Sequence, residues 1–177
     1  FGPGSMTTSG YPRIVKEWKR GTPLSEARPV FAGEAGDVSS SASVSDRFGF
    51  RREIIRRGIT FYTSEIFLRD GGRLLKLDVP ADARVGTWRE LITVTLRKDW
   101  AVGGRTYPAG AFLVLEWDKF LSGGRDFEQL YTPGPRKSLA GVSTFAHHLI
   151  VNELENVRSR LYVVTRTGAT WTRAPLA

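Results

Sequence analysis

Apolar and polar positions alternate in short runs, and the pattern is clearest from His147 onward. Leu149-Ile150-Val151 and Leu154 form one apolar run, and Leu161-Tyr162-Val163-Val164 forms a second. The polar stretch Glu155 to Arg160 separates them, and a third short run, Ala169 to Thr172, follows Gly168. Strands this short, rich in Val, Ile, Thr and Tyr and broken by Asn or Gly, predict a meander of antiparallel hairpins. One such meander is the unit of a β-propeller blade. Further units are then expected at spacings of roughly 40–55 residues.

Earlier segments fit that spacing. Ile14 to Trp18 and Pro29 to Phe31 read as two leading strands, joined by a helical turn at Thr22-Pro23-Leu24-Ser25-Glu26. Asp37 to Val44 alternates small residues with serines and reads as a strand. Arg47 to Gly58 reads as a polar, basic loop segment, and Ile59 to Phe67 as a strand. Asp70-Gly71-Gly72 and Gly103-Gly104 are tight-hairpin signals, and Leu74 to Leu77 is the return strand of the first. Leu91 to Leu96 and the near-continuous apolar run Ala111 to Trp117 read as strands, the second buried on both faces. Asp118 to Leu121 looks like one helical turn, and Phe127 to Tyr131 closes the unit.

The expected fold is therefore all-β: a β-propeller fragment of about three to four four-stranded antiparallel blades, about 14 strands in all. The expected blades cover residues 37–84, 85–137 and 138–177, with the leading strands before them in a partial propeller domain, 6–177. Phe1-Gly-Pro-Gly-Ser5 reads as an expression-tag scar and takes no part in the fold reading.

Composition narrows the chemistry. With no cysteine, the chain can form no disulfide, thiolate metal site or cysteine nucleophile. No apolar run approaches the roughly 18 residues of a membrane-spanning helix, so no membrane partner is expected. Net charge is +8 over 177 residues. The basic residues are scattered rather than blocked, which argues against nucleic acid as the partner. The densest positive spot is Arg51, Arg52, Arg56 and Arg57. On a loop, these could face a substrate or partner domain and hold a carboxylate or phosphate; a solvated loop is the plainer alternative.

Other candidates carry less. His147 and His148 are adjacent, so on a strand they point to opposite faces and cannot share an ion with Glu153 and Glu155. No metal or cofactor is expected. Neither Gly-Gly turn opens a helix or carries the Lys-Ser/Thr of a phosphate loop. Trp88, Trp100, Trp117 and Trp171 are expected to pack between blades.

Four phrases, in order, resemble the propeller of bacterial prolyl oligopeptidase-family serine peptidases. They are Tyr11-Pro12-Arg13-Ile14-Val15-Lys16-Glu17-Trp18-Lys19-Arg20-Gly21-Thr22-Pro23-Leu24, Arg57-Gly58-Ile59-Thr60-Phe61-Tyr62, Thr106-Tyr107-Pro108-Ala109-Gly110 and Asn156-Val157-Arg158-Ser159-Arg160-Leu161-Tyr162-Val163. The resemblance implies a seven-bladed propeller joined to an α/β-hydrolase domain whose Ser, Asp and His cut short peptides after proline. It implies that the propeller restricts access to that site. This chain would be the middle of the propeller, about half of it.

No Gly-x-Ser-x-Gly nucleophile elbow occurs in the sequence, so no triad residue is carried over and no catalysis is expected of this chain alone. The resemblance implies as partners the hydrolase domain, the remaining blades and a peptide substrate. It does not choose between bacterial cytoplasm and periplasm. Open strand edges on a half-ring also predict a homodimer, two copies making about seven blades. The alternative function is an independent basic module binding nucleic acid or acidic partners.

Overall fold

A computed structural model describes residues 2–176. Phe1 of the proposed tag scar and the last residue of the third expected blade lie outside the described residues. The chain divides into two compact units. One comprises the chain up to Asp46 together with Phe50–Asp82; the other comprises Arg47–Gly49 and the chain from Ala83 onward.

In the first unit, β1 (Ile14–Glu17) pairs antiparallel with β2 (Arg28–Ala32). A short 3-10 turn, Leu24–Glu26, lies between them; Pro23 rather than Thr22 stands at its cap. The Thr22 hydroxyl instead donates back to the Lys19 carbonyl at 2.9 Å. β3 (Ser39–Arg47), β4 (Phe50–Gly58), β5 (Ser64–Asp70) and β6 (Arg73–Lys76) form a four-stranded meander in chain order. Ile55, Ile66, Leu68 and Leu77 are its buried apolar residues.

Two sequence expectations change in this sheet. The basic segment expected as a loop is the strand β4: Arg57 meets Asp37 and, across the ladder, Glu65 of β5, while Arg51 pairs with Glu53 of β4 itself. The strand expected from Ile59 begins only at Ser64. The Thr60 hydroxyl accepts the backbone N–H groups of Tyr62 (3.2 Å) and Thr63 (3.0 Å), which holds residues 59–63 in a turn. The β5–β6 hairpin closes through Gly71 and Gly72, at φ 52° and 82°, the type I′ geometry that glycine adopts without strain.

The second unit holds two four-stranded sheets. β7 (Arg84–Trp88), β8 (Leu91–Thr95), β11 (Phe112–Glu116) and β12 (Glu128–Tyr131) make one. Between β8 and β11 a separate hairpin is inserted, β9 (Trp100–Val102) and β10 (Arg105–Tyr107), turning on Gly103-Gly104. A five-residue helix α1 (Trp117–Leu121) follows β11. β13 (Lys137–Thr144), β14 (His148–Glu155), β15 (Arg158–Thr167) and β16 (Thr170–Pro175) make the other sheet, again in chain order. Phe112 through Leu115 are all buried, as their continuous apolar run requires.

The two sheets of this unit pack through one apolar cluster. Trp88, Leu91, Phe112, Val114 and Tyr131 meet Leu149, Val151 and Val164 there, with Phe48 and Trp171 packed against them. The Trp88 and Trp171 rings lie 6.0 Å apart, and the Trp88 indole N–H donates to the Phe145 carbonyl at 2.7 Å. Trp100 and Trp117 depart from expectation: they pack on Phe127 and Phe120, inside their own blade. The inserted hairpin and α1 need an apolar anchor there. Arg166 of β15 reaches Glu90 (3.1 Å) and Glu116 (3.0 Å), tying the sheets from a polar side.

Candidate functional site

The four arginines of the densest positive spot sit on β4, not on a loop, and they do not converge. Arg51 and Arg57 are six residues apart, about 20 Å along a strand. They serve opposite ends of the sheet, and each end has its own chemistry.

At one end, the carboxylate of Asp37 is the hub. Arg57 donates to it twice, from Nε at 2.7 Å and from Nη2 at 3.0 Å, the bidentate fork that guanidinium geometry favours. The Glu34 N–H donates to the same carboxylate at 2.7 Å. Asp37 is buried, so these donors replace its water. The Arg57 fork holds its carboxyl below the usual carboxylate range, outweighing burial, which acts the other way. Gly33 leaves room for this arrangement: a Cβ there would fall 2.5 Å from Ser40 Oγ and 2.8 Å from Asp37 Oδ2. Glu65, opposite Arg57 across the β4–β5 ladder, lies 3.4 Å from Arg57 Nη1. Arg56 donates to the Ser64 hydroxyl at 2.8 Å.

These bonds fix the base of the β4–β5 turn. The turn itself presents Phe61 and Tyr62, which are 88% and 75% exposed. Sequence reasoning assigned both to a strand and so missed them. The signal present was Thr60-x-x-Thr63, whose hydroxyls bond to each other at 2.7 Å across the turn. Two bare aromatic rings on a braced turn form a surface suited to packing against another protein segment.

At the other end, Arg51 donates to Glu53 at 2.8 Å. Arg69 bridges Glu53 (2.9 Å) and Glu17 (2.8 Å). Arg52 donates to the Arg51 carbonyl at 2.8 Å. With the Asp70-Gly71-Gly72 turn these residues line a cleft of about 410 Å³. Paired donors hold Glu53 below its ordinary range, Arg51 first among them. The end is therefore a balanced network, and not a bare cationic patch.

The remaining candidates fall outside any site. His148 opens β14 and stacks on Phe145, ring centroids 4.9 Å apart. Glu153 is buried between Lys137 (3.2 Å) and Arg173 (3.0 Å). Burial pushes its carboxyl up, and the two cations more than reverse this. Among the described residues no group of three His, Cys, Asp or Glu could hold a metal ion.

An uncharacterized peptidase of Rickettsia prowazekii is 26% identical over 178 residues, covering 95% of this chain and 25% of that protein. An uncharacterized peptidase of Sinorhizobium fredii is 28% identical over 169 residues, covering 90% of this chain and 23% of that protein. The structure of a post-proline cleaving enzyme from Rickettsia typhi matches 100% of this chain and 27% of its own, with a TM-score of 0.91 at 24% identity. The chain shares the β-propeller-type fold of that structure and is similar in sequence to part of these two peptidases. A structure from work on two prolyl endopeptidases shares the fold more loosely, with a TM-score of 0.65 at 16% identity, over 98% of this chain and 25% of that one. No protein-family profile matches the chain. The fragment spans about a quarter of the length of the curated relatives it matches.

Proposed function

We propose that this chain is the non-catalytic propeller part of a prolyl oligopeptidase-like serine peptidase that cleaves short peptides after proline. Its role there is to limit access to the active site and to contact the catalytic domain. The observation that carries this reading is the braced β4–β5 turn. Arg56, Arg57 and Asp37 hold its base, while Phe61 and Tyr62 stay exposed on a chain a quarter the length of its peptidase relatives.

A surface of that kind fits a fixed partner, in this reading the hydrolase domain or a neighbouring blade. Arg51, the one exposed arginine of the four, and Arg52 line the cleft at the far end of β4 and would meet a partner or substrate there, beside Glu17, Glu53 and Arg69. The test is hydrolysis of short proline-containing peptides by the full-length parent, compared with its Phe61→Ser/Tyr62→Ser variant. The reading expects post-proline cleavage and a marked loss in the variant. A parent that binds nucleic acid with a steep salt dependence and hydrolyses no peptide would replace it with the basic-module alternative.

A further inference from the structure

We propose that a second site, in the cleft between the two sheets of the second unit, binds the C-terminal carboxylate of a short peptide. The cleft has a volume of about 430 Å³, within the range of small-ligand pockets. Its lining holds two arginines, Arg84 and Arg97, and no acidic residue. Elsewhere in this unit Arg166 pairs with Glu90 and Glu116, and Arg173 with Glu153. Arg84 and Arg97 are exposed, and neither has a carboxylate partner among the described residues.

The strand register brings them together. Arg84 stands directly opposite Thr95 in the β7–β8 ladder. Arg97 follows two residues after Thr95, in the bend just past the end of β8, and lines the same cleft as Arg84. The Leu96 N–H still pairs with the Ala111 carbonyl at 3.0 Å, so the chain at that point remains tied to the sheet. A third guanidinium stands at the rim, where Arg47 donates to the Thr144 carbonyl at 3.3 Å.

The floor is shaped for more than an ion. Gly86 lies on the Arg84 face, and a Cβ there would come within 2.9 Å of Thr93 Oγ1, so glycine keeps the floor open. Phe112 and Val142 supply apolar wall on either side. Guanidiniums with hydroxyls at one end and apolar wall beside them suit a carboxylate that carries a hydrophobic side chain. A peptide C-terminus has that chemistry, and its planar carboxylate matches the guanidinium fork. The choice of a peptide rests on the peptidase reading above; the anion site itself does not.

The test is calorimetric titration of the 177-residue chain with N-acetyl-Ala-Ala-Leu, as the free acid and as its C-terminal amide. The acid is expected to bind at least about tenfold more tightly than the amide, as for a charge-assisted fork. Arg84→Gln and Arg97→Gln should each weaken the acid about tenfold, and the double variant should bring it to the level of the amide. Circular dichroism and melting of the variants should match the parent chain, because neither side chain has a partner to lose. Equal binding of acid and amide, no binding of either, or undiminished binding by a folded double variant would overturn the proposal. Failure here beside post-proline cleavage by the parent would sink this inference alone. Carboxylate-selective binding beside a parent that cleaves nothing after proline would sink only the peptidase reading.

Discussion

Arg57 grips Asp37 through two hydrogen bonds, Nε to Oδ2 at 2.7 Å and Nη2 to Oδ1 at 3.0 Å, with the carboxylate buried and the guanidinium one-quarter exposed. Removing the arginine leaves a buried charge without its partner, a change that costs about 3–5 kcal/mol. Arg57→Leu should therefore lower the stability of the chain by about 3 kcal/mol, read from urea unfolding. Arg51→Leu should stay within about 0.5 kcal/mol, because that side chain is well exposed.

The same pair sets an acid dependence. The folded-state pKa of Asp37 is depressed, so its contribution is complete above the unfolded value, near 3.9. It is lost as pH falls from there through the folded pKa. The stability gap between the native chain and Asp37→Asn should be constant from pH 7 to about 5 and narrow below about pH 4. Urea midpoints across that range measure it; a gap that widens on acidification contradicts the assignment.

Asn156 and Val157 close the β14–β15 hairpin at φ 50° and 67°. The left-handed region suits asparagine but not a β-branched side chain, and the valine is 89% exposed, so no packing compensates. Val157→Gly should raise stability by about 1 kcal/mol, the left-handed penalty less the added entropy of glycine in the unfolded chain. A thermal melt reads this as an upward shift in Tm.

Trp88 contributes packing across both sheets of the second unit and an indole hydrogen bond to the Phe145 carbonyl. Trp88→Ala should cost about 3–5 kcal/mol. Trp171→Ala should cost less, because that ring is only partly buried. A double variant whose loss falls short of the two single losses combined would measure their coupling.

Propeller blades bury one face against the next. We propose that two copies of this chain pack in the same way. Light scattering should then give twice the 19.7 kDa of one chain, independent of concentration in the micromolar range. A monomer across that range removes the proposal.

Much of the fold was legible because its signals are local. Gly71-Gly72 and Gly103-Gly104 mark turns that demand positive φ, and Phe112 to Leu115 has the unbroken apolar character of a strand covered on both sides. β4 was not legible. Four arginines in nine residues read as solvated until Asp37 and Glu65 are brought beside Arg57, and Ser64 beside Arg56, which the folded sheet does. Ile59 to Tyr62 has strand-forming residues, but the Thr60 hydroxyl offers the backbone a turn instead. The composition of the candidate site was thus readable, and its division between two ends of one strand was not. That division depends on which residues the ladder places side by side.

The most direct measurement is peptide hydrolysis by the full-length parent, using a short fluorogenic peptide with one internal proline and a long unfolded protein rich in proline. The account predicts cleavage after proline in the short peptide, with the long chain spared. It also predicts that Phe61→Ser/Tyr62→Ser cuts the short-peptide rate or opens the enzyme to the long chain. Hydrolysis that ignores proline, or a variant that leaves both rate and size selectivity unchanged, would contradict it.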